Sequence, residues 1–167
     1  MLDQAVSRIY KYLSNNKFFR LVDGEYDFIG CNYYFHDKIR FNFIKRNENE
    51  KISDLNWEVY PEGIYHVLKD LKKYNRPIYV TENGIADKSD QKRSKFIKEH
   101  LFWMHKAIAE GVDVRGYFYW SLLDNFEWDK GFWPRFGLVG IDYETQKRTI
   151  RKSARGYAKI CKTNTLI

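Results

Sequence analysis

The sequence predicts an α/β fold built on a parallel sheet. Three runs are β-branched and aromatic, near residues 26–34, 77–83 and 114–122. The segments between and around them carry apolar residues at helical spacing. The intervals between strands are long enough for helical crossovers, which parallel strands require. The expected order is α-β-α-β-α-β-α, in one domain over residues 1–167.

The elements follow in order. Leu2, Val6, Ile9 and Leu13 recur at helical spacing and predict an amphipathic helix over 2–15. In the first strand Cys31 points opposite to Asn32, into the helix layer, as a small buried hydrophobe. Residues 36–56 form a polar loop after that strand's C-terminus, where site loops grow. Its Phe41 and Phe43, with Trp57 just beyond, either contact a leaving group or pin the loop to the surface. Pro61 suits a first helical turn, and Ile64, Val67, Leu68 and Leu71 make an apolar face to about Tyr74. In the second strand, alternation sends Ile78, Val80 and Glu82 inward and Tyr79, Thr81 and Asn83 to the other side. Residues 90–110 carry Phe96, Ile97, Leu101, Met104, Ala107 and Ile108, with Gly111 placed to stop the helix. A last helix over 150–161 sets Ala154, Tyr157 and Ile160 on one side.

Two segments carry chemistry. Ile78-Tyr79-Val80-Thr81 ends in Glu82-Asn83-Gly84. In barrel-type sheets the C-terminal ends of the strands are where reactions are placed. A carboxylate on an apolar face is costly without partners or a task. Glu82 is therefore either a catalytic carboxylate or a cap on the loop after the strand. The third strand leads into Trp120-Ser121-Leu122-Leu123-Asp124-Asn125-Phe126-Glu127-Trp128 and then Gly131-Phe132-Trp133-Pro134-Arg135-Phe136-Gly137. Tryptophan faces stack on the apolar faces of sugar rings, and carboxylates accept hydrogen bonds from sugar hydroxyls. The alternative is a tryptophan-rich core corner.

Taken together, Asp27-Phe28-Ile29-Gly30-Cys31-Asn32-Tyr33-Tyr34, Thr81-Glu82-Asn83-Gly84, Trp120 through Trp128 and Arg135-Phe136-Gly137-Leu138 resemble glycoside hydrolase family 1, the β-glucosidase and β-glycosidase family. The resemblance implies a partial TIM (β/α)8 barrel, about the last three β/α units, strands 6–8. It implies hydrolysis of β-O-glycosidic bonds with retention. Glu82 is similar to the family's nucleophile, and Tyr34 to the tyrosine that hydrogen-bonds it. Asn32 resembles a residue lining the site, and Trp120 the floor of the glycone pocket. Glu127 and Trp128 resemble the pair that binds the sugar's distal hydroxyls, and Phe136 a residue packing at that end. Glu127 also favours an unphosphorylated glucose-, galactose- or fucose-like glycone over a phosphorylated one.

What is missing is as informative. Retaining glycosidases use two carboxyl groups about 5–5.5 Å apart. The family's acid/base is the Glu of an Asn-Glu-Pro motif. The three prolines here follow Tyr60, Arg76 and Trp133, and Asn47-Glu48-Asn49-Glu50 lacks the proline. A closed barrel needs about 250 residues, rarely under about 200. Three strands would leave Phe28, Val80 and Phe118 without an opposite wall and the sheet edges unpaired. The expectation is a truncated product, a split half or part of a longer protein, with Met1 suiting an internal start. The alternative function is a carbohydrate-binding or inactive half-barrel fragment awaiting a partner chain with the first strands.

Composition excludes little. Lys and Arg number 29 against 22 acids, a net charge of +7, but they spread over helix faces and turns. A solvated shell is preferred to a nucleic-acid site. Cys31 and Cys161 have no metal spacing and predict no disulfide, and His36, His66, His100 and His105 form no ligand motif. No cofactor is implied; the expected partner is a β-glycoside or oligosaccharide, without nucleic acid or membrane. With no leader-type apolar run, the cytoplasm is the default location.

Overall fold

The computed structural model describes residues 2–22, 24–40, 43–45 and 51–166. Phe41 and the run 47–50 lie outside the described residues, as does the side chain of Phe43.

Three parallel strands form the central sheet: β1 (Ile29–Asn32), β4 (Ile78–Asn83) and β5 (Val114–Tyr119), in the order β1-β4-β5. Each is shorter than the apolar run that contains it. The crossovers carry α3 (Glu62–Leu71) and α4 (Arg93–Ala109), and α5 (Lys152–Thr163) follows the last strand. Gly111, at φ +80°, ends the turn after α4 in a conformation few other residues adopt.

The first helix runs further than its apolar pattern. α1 (Leu2–Lys11) continues through a π-helical turn at Tyr12–Asn16 into α2 (Lys17–Leu21). No residue of α1 is buried. The segment is tied down by the Lys11–Asp70 ion pair at 3.0 Å and by Phe19, stacked on Tyr74 with centroids 4.3 Å apart.

Two hairpins add to the predicted elements, the first within the stretch read as a polar loop. β2 (Lys38–Arg40) pairs antiparallel with β3 (Phe43–Lys45), and β6 (Val139–Ile141) with β7 (Arg148–Ile150). Each strand is three residues long, too short for a period-2 pattern to show.

The core lies between the sheet and its helices. Ile29, Cys31, Ile78 and Val80 pack with Ile64 and Leu68 of α3 and Ala107 of α4. Cys31 sits in the helix layer, opposite Asn32, as alternation requires. Ile78 and Val80, however, are 1% and 0% exposed on this same helix-facing side. The inward face assigned to them belongs instead to Phe28, Tyr79 and Phe118, and Phe28 and Phe118 are 54% and 58% exposed. Helices on one side only explain the difference: buried apolar strand residues turn toward the layer that covers them.

Candidate active site

The site is built at the C-terminal ends of the three parallel strands. Glu82 stands near the end of β4, half-buried, on the open face of the sheet. Across the β1 edge Asn32 is its register partner. Tyr34, two residues on, donates its hydroxyl to Glu82 Oε2 at 2.7 Å. Burial first, and then this bond to a carboxylate, push the Tyr34 hydroxyl far above its ordinary pKa. It remains a donor throughout the working pH range.

Rings hold Tyr34 in place. Trp57 meets it edge-on at 5.8 Å and Phe136 at 6.1 Å, and Trp57 stacks on Phe35 at 4.8 Å. Phe136 is only 2% exposed, so it supports Tyr34 from beneath rather than presenting an open wall. Thr81 donates to Asn32 Oδ1 at 2.7 Å, which fixes the orientation of that amide.

β5 delivers the third part. Trp120 N–H donates to Asn83 O at 2.9 Å, and the Trp120–Ser121 peptide is cis. The Trp120 side chain lies beside Glu127 and favours its charged form. Burial raises the pKa of Glu127 against that effect, and the charges of Glu82 and Asp129 raise it further. The two glutamates are thus close enough to feel one another. Trp128 follows at φ +44° and is 81% exposed.

Asp124 holds the loop that carries Glu127. It accepts from both Arg151 terminal nitrogens at 3.0 Å, from Gly137 N at 2.8 Å and from Ile141 N at 3.2 Å. Among the described residues no group of three or more His, Cys, Asp or Glu side chains could hold a metal, and no helix is long and apolar enough to cross a membrane.

The model of glycosyl hydrolase family 1 matches residues 11–166. The chain belongs to this family. Beta-glucosidase A of Thermotoga maritima is 41% identical over 164 residues, covering 87% of this chain and 36% of the relative. A beta-galactosidase of Sulfolobus acidocaldarius is 42% identical over 156 residues, covering 83% and 32%. The solved beta-glycosidase from Pyrococcus horikoshii superposes with a TM-score of 0.95 at 40% identity, over 99% of this chain and 45% of that one. The chain therefore spans about a third of the length of the curated relatives it matches, and its β/α units are part of the family 1 barrel.

Of the expected residues, Glu82, Tyr34, Asn32 and Phe136 are brought together directly, and Trp120 and Glu127 adjoin one another beside them. Trp57, expected to contact a leaving group or pin the loop to the surface, packs on Tyr34 and Phe35. Simple alternation sends Thr81 and Asn83 to the far side of the strand; Asn83 is buried there, but Thr81 bonds Asn32 within the site.

Proposed function

We propose that the polypeptide to which this chain belongs hydrolyses β-glycosides with retention, and that these strands are the sixth to eighth of its barrel. The observation that carries the reading is Tyr34 donating to Glu82 at 2.7 Å on the open face, beside Glu127. Glu82 attacks the anomeric carbon, the aglycone departs, and water then cleaves the glycosyl ester. Tyr34 orients the carboxylate. Trp120 is the glycone floor, Asn32 lines the site, and Glu127 with Trp128 takes the distal hydroxyls. Phe136 backs Tyr34. The glycone is an unphosphorylated sugar such as glucose or galactose, in keeping with the names of the relatives.

The acid/base is supplied from outside this chain, whose three prolines never follow a glutamate. A half-barrel carrying the earlier strands is the expected partner. Phe28 and Phe118, more than half exposed on the sheet's open face, favour a second reading for the chain by itself: sugar binding without turnover.

The test is hydrolysis of an aryl β-glucoside by this chain alone and after mixing with an N-terminal family 1 half that ends before the segment matching residue 1. Turnover only in the mixture, abolished by Glu82→Ala, is the expected result. Turnover by the chain alone would overturn the assignment of the acid/base. Asp124 is committed to two arginines, so Glu127 would be the next carboxyl to substitute. A folded chain silent in both conditions would sink the catalytic reading.

A further inference from the structure

β4 departs from regular pairing on both sides just after Val80, and against β5 once more between Ile78 and Tyr79. Against β1, Cys31 pairs with Val80 but Asn32 pairs with Glu82, so Thr81 is passed over. Against β5, Val80 pairs with Tyr117 and Asn83 with Tyr119, three steps on β4 for two on its neighbour. This is one extra residue, a bulge. One extra residue resets the alternation of side chains. Thr81 and Glu82 consequently share the open side, and Asn83 takes the next buried position, 0% exposed. In a regular strand Glu82 would have followed Ile78 and Val80 into the helix layer.

We propose that Asn83 is the positioning residue that keeps Glu82 in the site, by fastening this bulge. Its Nδ2 donates to Tyr33 O at 2.5 Å, just beyond the end of β1. Its Oδ1 accepts from the Tyr117 hydroxyl of β5 at 2.7 Å. Its own carbonyl accepts from Trp120 N at 2.9 Å, and the carbonyl of Glu82 accepts from Tyr33 N at 2.9 Å. One buried amide thus joins the ends of all three strands around the residue it follows. Tyr33 immediately precedes Tyr34, so the same clasp places the hydroxyl that bonds Glu82. The site needs a donor and an acceptor on one short side chain. Aspartate has no proton to give Tyr33, and leucine has neither group. Burial holds the Tyr117 hydroxyl well above its ordinary pKa, so it stays a donor.

The functional importance of this clasp rests on the reading of Glu82 as nucleophile; the clasp itself does not. The test is therefore made first on the chain without substrate. The Tyr34 hydroxyl proton is identified by its loss in Tyr34→Phe, and its exchange with water is followed by NMR. Asn83→Leu, similar in size, is expected to speed that exchange at least about tenfold, the scale of losing a hydrogen bond to a charged group. Tyr117→Phe, which removes one of the two side-chain bonds, has a smaller effect in the same direction. Val80→Ala lowers global stability on the same strand but leaves the exchange unchanged. Should Asn83→Leu not fold, Asn83→Asp keeps the size and the acceptor while losing the donor, and is expected to speed exchange likewise. Slow exchange retained in the Asn83 variant that folds, or equal acceleration in Val80→Ala, would overturn the proposal. In the reconstituted enzyme Asn83→Leu should lower kcat about tenfold or more with KM held within about twofold. A wild-type mixture without turnover would defeat the catalytic reading and leave the exchange result to decide the clasp.

Discussion

Adding one methyl group at Gly84 tests how tightly β4 and β5 close behind the site. A Cβ there would lie 1.9 Å from Trp120 O, 2.9 Å from Trp120 C and 3.3 Å from Trp120 Cβ. The obstacle is backbone, and it belongs to the residue whose N–H bonds Asn83 O. It cannot swing aside as a side-chain tip would. Gly84 is not at positive φ, so the requirement is for space and not for an unusual conformation. Overpacking of this kind typically costs about 1–3 kcal/mol, occasionally more. A contact more than an ångström too close to a strand carbonyl belongs at the top of that range. At about 3 kcal/mol, a chain of this size loses about 6–12 °C in Tm. Gly156→Ala is the matched control. Nothing lies within 4 Å of the position that its methyl group would take in α5, and alanine there is expected to stabilise by about 0.5–1 kcal/mol. Urea unfolding of both variants beside the wild type gives the two differences. A Gly84→Ala stability within about 0.5 kcal/mol of wild type, or the same sign for both variants, would refute the reasoning.

Asp124→Ala leaves the Arg151 and Arg135 guanidiniums without their carboxylate, each with one backbone carbonyl as partner, and strands two backbone N–H groups; it is expected to cost about 3–5 kcal/mol in urea unfolding. His100 is buried without a partner for Nε2, and burial lowers its pKa from 6.5 to about 4. The unfolded chain takes up that proton first, so stability should fall as pH drops from about 6.5 toward 4, at up to about 1.36 kcal/mol per pH unit from this group. His100→Phe should remove that part of the slope in a series of unfolding curves. Glu127 has the opposite sign. Its raised pKa means that the folded state holds the proton longer, so its contribution is present at low pH and lost as pH rises through the carboxylate range. Glu127→Gln should flatten the stability profile there, measured by the same curves.

The order of strands and helices was legible because crossover length and helical spacing are properties of long segments. Ile64 and Leu68 on α3, and Phe96, Ile97 and Leu101 on α4, are buried as their spacing requires. The hairpins at 38–45 and 139–150 were not legible, since three-residue strands carry no period. The faces of β4 defeat simple alternation in an instructive way. Counting from Glu82 back to Val80 and Ile78 puts all three inward, and two of them face the helices. Glu82 is nonetheless on the open side, because the bulge adds the residue that the pattern leaves out. No apolar periodicity reports such an insertion. Its only trace is Asn83, a buried amide in a run where a hydrophobe would otherwise continue the strand.

The bulge also accounts for what the chain can do by itself. Glu82, Tyr34, Asn32, Trp120 and Glu127 are carried by three strands and the segments that follow them, so the geometry around Glu82 is set within this chain. The medium is not. The sheet's open face leaves Phe28 and Phe118 more than half exposed, and water there screens the Tyr34–Glu82 bond and the Glu82–Glu127 repulsion alike. Covering that face strengthens both at once. The pKa of Glu127, already raised by burial and by Glu82, is therefore expected to climb further when a complementary half-barrel binds. Titrating the Glu127 carboxyl by 13C NMR before and after mixing measures the change. A downward shift on mixing would mean that the partner contributes a cation at this carboxylate, and that the site is tuned by charge and not by exclusion of water.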